Sequence, residues 1–233
     1  MRQFPLLAKD LVVDPNTQTI YASLPSGAGA SGNSIAAINP TTGAVNITVF
    51  IGSEPGRMAL SDDAQFIYVG LDGAASIRRF DVATKTAGLQ FGLGSLPFGG
   101  GSLTARDISV APGQPGTVAV VRRSGGSSGG VAFYDDGAPR TATDSQSTTV
   151  EFSASPLVLY GFNGDSTEFG FRKIAVGSCG LTTVATTSNL MSGFGADFKV
   201  DNATAYSSSG RAFDPEAARI AGTFALVSPN SFL

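Results

Sequence analysis

Histidine and tryptophan are absent from this chain of 233 residues, and cysteine occurs once, at Cys179. Without histidine there is no imidazole general base and no Ser-His-Asp triad. Histidine-ligated zinc, copper and haem sites are excluded for the same reason. A single cysteine rules out a disulfide within the chain and any multi-cysteine metal cluster. Metal chemistry would fall to oxygen ligands, which suit calcium or magnesium. Charge is scarce as well: 14% of residues are charged, against roughly 25% in ordinary soluble domains. The 15 Lys and Arg residues are scattered rather than gathered in a stripe, which argues against nucleic acid as a partner. No apolar run approaches the roughly 18 residues that a membrane helix needs. No charged segment followed by an apolar one opens the chain, so no signal peptide is read.

What the chain does have is 42% hydrophobic residues, enough for a sizeable core, together with 30 Gly and 12 Pro. This length accommodates one all-β domain. The segment Asp14-Pro-Asn-Thr-Gln-Thr-Ile-Tyr21 has a counterpart in Ser61-Asp-Asp-Ala-Gln-Phe-Ile-Tyr68. Each is a polar turn leading into a β-rich run that ends in Ile-Tyr. A Gly/Ser-rich break follows, then a second β run to a turn, at Ser34–Gly43 and Ser76–Lys85. Third runs cover Val45–Gly52 and Thr86–Gly94, and each closes on Gly-Ser-x-Pro. Further runs start at Arg57 and Asp107. Four short strands in roughly 40–50 residues is the length of a propeller blade. Weaker units fit the same frame. Thr117–Val121, Gly130–Asp135 and Val150–Ser153 read as a third, with Val150–Ser153 as its last strand. Leu157–Tyr160 opens a fourth and Asp197–Val200 a fifth. The blades fall at roughly 11–56, 57–105, 106–154, 155–195 and 196–227. Asp214–Ile220 carries a helix-like cap and proline, but aligns with the turn at Asn39–Gly43 and is read as a turn.

The run Met58-Ala-Leu-Ser-Asp-Asp-Ala-Gln-Phe-Ile-Tyr-Val69 resembles the repeat of the YVTN-type β-propellers, with Asp63-Ala64 where that repeat has Asp-Gly. Two units, roughly residues 11–94, carry the resemblance well; the others follow it in spacing and polarity. The resemblance implies an all-β propeller of four-stranded antiparallel blades. Such propellers commonly close with seven blades, so about five make this chain a partial ring. The segment Val227–Leu233 reads as the opening of another blade, and a self-contained five-bladed ring is the alternative.

Propeller ligands sit where the loops before the inner strands and between second and third strands converge. By alignment these loops carry Glu54, Arg57, Arg106, Asp107, Arg122 and Arg123. Such a cluster can hold an anionic group by bidentate hydrogen bonds. Solvated loop charge is the plainer reading. Arg78 and Arg79 are adjacent in a strand and so point to opposite faces, as an exposed outer-strand pair. Asp62-Asp63, Asp135-Asp136 and Asn163-Gly-Asp165 match no calcium loop and read as turns. Asn46 and Asn202 begin formal glycosylation sequons. Cys179 has no base to activate it and is expected to be buried. The expected function is a non-catalytic binding or scaffold module, without cofactor or metal. The composition suggests a bacterial exported or cell-surface protein, and the ligand would be a protein or a glycan. The alternative is a lactonase- or hydrolase-type propeller enzyme with its site at the central channel, which the missing histidine disfavours.

Overall fold

A computed structural model describes residues 6–144 and 146–225. Among these residues, runs rich in Val, Ile, Phe and Tyr form twenty strands, arranged as five four-stranded sheets, and every pairing within a sheet is antiparallel. Blade 1 contains β1 (Asp10–Asp14), β2 (Thr19–Leu24), β3 (Ser34–Ile38) and β4 (Val45–Phe50). Blade 2 contains β5 (Pro55–Leu60), β6 (Phe66–Leu71), β7 (Ser76–Asp81) and β8 (Thr86–Gly92). Blade 3 contains β9 (Thr104–Val110), β10 (Thr117–Ser124), β11 (Ser127–Asp135) and the short β12 (Ala138–Pro139). Blade 4 contains β13 (Thr149–Phe152), β14 (Val158–Phe162), β15 (Gly170–Gly177) and β16 (Gly180–Ser188). Blade 5 contains β17 (Phe198–Asp201), β18 (Thr204–Ser207), β19 (Arg211–Asp214) and β20 (Arg219–Thr223). The first strand of each blade is innermost. Inner strands pack in the order β1, β5, β9, β13, β17, with no comparable packing between β17 and β1 among the described residues.

The second strand of each blade is sandwiched between neighbours. β6 is buried from Ile67 to Leu71 and β10 from Thr117 to Val121. This explains why their sequences are near-continuously apolar instead of alternating. Four apolar layers separate the five blades. Tyr21, Ile35 and Ile51 of blade 1 meet Ile67, Val69 and Phe80 of blade 2. Tyr68, Ile77 and Phe91 of blade 2 meet Val118, Val120 and Tyr134 of blade 3. Val121 and Phe133 meet Leu159 and Ile174 of blade 4. Tyr160, Phe162 and Phe171 meet Phe198, Ala205 and Phe213 of blade 5. Turns are set by side chains that replace backbone partners. Asp14, Asn39, Asp81 and Asp214 each accept from a backbone N–H two or three residues on. The last of these makes residues 215–218 a turn, as the alignment with Asn39 indicates.

Several expectations are corrected. Val150–Ser153 does not close blade 3: Thr149–Phe152 is the inner strand of blade 4, paired with β14, so Leu157–Tyr160 lies at its second strand. The outer strand of blade 3 is only Ala138–Pro139, because the chain then turns away. Ala142 forms a parallel bridge to Gly180 of blade 4, and Asp144 bridges Val131. That detour leaves the inner strand of blade 4 at the place where sequence pattern expects the outer strand of blade 3. Arg78 and Arg79 are not an exposed outer pair; both are half-buried on the third strand of blade 2. Arg79 donates to Asp136 of blade 3 at 2.7 Å, and the Arg78 guanidinium faces the Ile51 carbonyl of blade 1. Cys179 is exposed, in the β15–β16 turn. The segment Val227–Leu233, read as the opening of another blade, lies outside the described residues.

Candidate functional site

Antiparallel meandering gives every blade two edges. At the upper edge the first and third strands begin and the second and fourth end. The turns after the first and third strands form the lower edge. All six residues singled out in the sequence lie at or just below the upper edge, but they divide among three settings.

Arg106, Arg122 and Arg123 come together. Arg106 stands near the start of β9, and Arg122 and Arg123 near the end of the adjoining β10, where register shifts break both ladders. With Gly125, Gly126, Ser127, Ser128, Thr148 and Asp165 they line a pocket of about 400 Å³. The Arg106 guanidinium grips Asp165 through two nitrogens, one pair at 2.7 Å. Those hydrogen bonds hold the Asp165 carboxyl below its ordinary range. Arg122 donates to the Gly129 carbonyl at 2.8 Å, leaving its buried Nε without an acceptor among the described residues. The Arg123 side chain is exposed and makes no hydrogen bond or ion pair with a described residue. Among the described residues, no aromatic ring lines the pocket. It offers cationic planar donors set in a glycine- and serine-rich wall, which is the chemistry of carboxylate capture.

Arg57 and Asp107 belong to a different space. The inner strands of all five blades surround an axial cavity of about 460 Å³, lined by Asp10, Arg57, Asp107, Glu151, Asp197 and Lys199 among others. Lys199 donates to Glu151 at 2.8 Å. Burial raises the Asp107 carboxyl to about 7 and also raises Glu151. Burial lowers Lys199, but Glu151 and Asp107 outweigh it and leave the ammonium raised. Asp107 is held in place by two backbone donors, Ile108 N–H at 3.0 Å and, across the blade boundary, Val150 N–H at 2.8 Å. Adjacent in sequence, Arg106 and Asp107 therefore serve separate sites.

Glu54 joins neither cavity. It turns the chain from blade 1 into blade 2 with φ near 51°. Its N–H donates to Asn33 Oδ1 and its carbonyl accepts from Asp72 N–H, both at 2.9 Å. Sequence reasoning missed Asp10, Glu151, Asp197 and Lys199 in the channel and Asp165 in the arginine pocket. A signal for the channel set was present: Asp10-Leu-Val-Val, Asp107-Ile-Ser-Val and Asp197-Phe-Lys-Val each set an aspartate directly before a short run of an inner strand. The acidic turns have local or interblade work. Asp63 accepts from Ser61 and from Gln65 N–H, Asp62 from Gly113 N–H of blade 3, and Asp135 binds Thr117 and Arg140.

No family model matches the chain, and no curated protein does. Solved structures do. The hydrazine synthase of Kuenenia stuttgartiensis is similar over 88% of this chain and 56% of its own, with a TM-score of 0.60 and 18% identity. A structure of U3-55K is similar over 89% of this chain and 62% of its own, with a TM-score of 0.57 and 12% identity. The chain thus spans a little over half the length of these neighbours. At such identities the likeness concerns fold. It agrees with the five sheets in giving the chain a β-propeller fold.

Proposed function

We propose that this protein is a non-catalytic binding propeller of the YVTN type, exported or displayed at a cell surface, whose upper edge holds an acidic group of a protein partner. The observation that carries the reading is the convergence of Arg106, Arg122 and Arg123 on one pocket. Arg106 and Arg122 are already fixed by Asp165 and the Gly129 carbonyl. Arg123 brings five unspent donors. A carboxylate there gains charge-assisted bonds from a pre-set wall and loses little side-chain entropy. The absence of a lining aromatic face favours an acidic peptide over a glycan, since sugar rings commonly rest on aromatic faces. Low charge and abundant small polar residues suit export.

Calorimetric titration with a hexaglutamate peptide tests this. The wild-type chain should bind it and hexaglutamine should not. Arg123→Ala should weaken binding about tenfold, the worth of one charge-assisted pair of roughly 1.4 kcal/mol. Its melting temperature should change little, because the Arg123 side chain makes no hydrogen bond or ion pair with a described residue and acts on Asp72 and Asp165 through charge alone. Failure to bind, or equal binding by the variant, overturns the reading. Binding of a sulfated oligosaccharide in place of the peptide would transfer the site to a glycan.

A further inference from the structure

We propose that the outward face of blade 5 is a docking surface for another four-stranded blade of the blade 2 type. The chain itself shows how such a face is covered. In blade 1, three polar groups reach across to blade 2. Asp10 Oδ2 accepts from Met58 N–H at 2.8 Å, Ser23 Oγ donates to the Gly56 carbonyl at 2.7 Å, and the Tyr21 hydroxyl meets Lys85 Nζ. The same Ser23 Oγ accepts from Asp10 N–H at 3.1 Å, tying the set together.

Blade 5 carries the same set in the same register. Tyr206 occupies the third position of its second strand, as Tyr21 does. Asp197 precedes the inner strand and donates its N–H to Ser208 Oγ at 2.9 Å. Asp197 Oδ1 accepts from the following N–H, of Phe198, as Asp10 Oδ1 does from Leu11. What is missing is the far side. Asp197 Oδ2, the Ser208 hydroxyl hydrogen and the Tyr206 hydroxyl make no hydrogen bond with a described residue. Tyr206 is 46% exposed and Phe224 42%, whereas Tyr21, Tyr68 and Tyr160 at the equivalent place are buried. Tyr206, Ala212, Gly222 and Phe224 border a shallow apolar groove.

Pattern also selects the occupant. Asp10 and Asp107 reach blades 2 and 4, whose inner strands have no aspartate of their own at that point, so Met58 N–H and Val150 N–H are free to be capped. A blade for Asp197 must likewise bring an uncapped N–H. Blade 1 of a second copy does not, because Asp10 already caps Leu11 N–H. The partner is thus a blade with an uncapped inner strand and, at its lower edge, a polar turn like Val82–Lys85 to meet Tyr206.

The test adds a second copy of residues 51–95 after Leu233 and compares this fusion with the original chain. The fused blade should acquire hydrogen-exchange protection, and Tyr206 should lose solvent access. Asp197→Ala and Tyr206→Ala should each lower the melting temperature of the fusion by more than that of the original chain, in which Asp197 Oδ1 caps only Phe198 N–H and the Tyr206 ring meets, among the described rings, only Phe224; an equal fall in both chains overturns the proposal. A fused copy of residues 93–140, whose inner strand is capped by its own Asp107, should gain less protection. A fused blade 2 that stays unprotected, or indifference of the fusion to both substitutions, overturns the proposal. So does a discrete dimer of the original chain that depends on Tyr206, which would make a second copy the occupant.

Discussion

Asp107 shows how one side chain ties acid–base behaviour to the blade boundary. Its folded carboxyl titrates near 7 because burial disfavours the anion; unfolded, it would titrate near the ordinary 3.8. Between those values the folded chain holds the extra proton, so this group's contribution to stability is full below the unfolded value and is lost as pH rises toward 7. Urea midpoints measured across that window should therefore carry a falling component, and Asp107→Asn should remove it. Above a pH of about 7 the variant should also lose one backbone hydrogen bond, about 0.5–1.5 kcal/mol, since the carboxylate accepts at both oxygens and an amide cannot. An unchanged pH slope would assign the component elsewhere, Glu151 being the next candidate. At this scale the sequence was only partly legible. Alignment placed Glu54, Arg57, Arg106, Asp107, Arg122 and Arg123 in loops, whereas all but Glu54 stand within strands. Their division between pocket, channel and turn was not legible, because it rests on contacts such as Asp107 with Val150, 43 residues apart, and on which way adjacent side chains face.

Among elements, the aromatic layer between blades 4 and 5 holds more ring contacts than its counterparts. Phe171 touches Tyr160, Phe198 and Phe213, with ring centroids 4.9–5.7 Å apart. Phe171→Ala should cost about 3–5 kcal/mol, a cavity that rigid β layers cannot close, read as a shift in the urea midpoint. Gly180 belongs to the same scale. It has φ near 128°, and a Cβ there would stand 2.1 Å from the Ala142 carbonyl oxygen. Gly180→Ala should cost more than the roughly 1 kcal/mol of an ordinary loop exchange, and exchange at the blade 3–blade 4 seam should rise. Strands whose apolar runs are flanked by Asp, Asn and Gly turns were readable from sequence, blades 1 and 2 above all. Val150–Phe152 was misassigned because an outer strand as short as Ala138–Pro139 leaves no apolar run to mark it. The next β-rich segment then takes its place in any reading by pattern.

For the molecule as a whole, stability should be graded along the ring. Blades 2, 3 and 4 have an apolar layer on each side, while blade 5 has one. Amides of β6, β10 and β14 should exchange last and those of β20 first, since local opening follows the number of packed contacts that must break. Uniform exchange across the strands would mean that the five blades open as one unit. The general architecture was legible from repeat length and turn chemistry. The interblade code of Asp, Ser and Tyr was not, because each member looks like an ordinary strand or turn residue until its neighbour is in place. Finally, the exposed Cys179 is the sole thiol of the chain, and it lies at the lower edge, across blade 4 from the arginine pocket. A maleimide dye would attach at that single address. Fluorescence anisotropy could then follow partner capture in real time, with the reporter kept away from the edge where capture takes place.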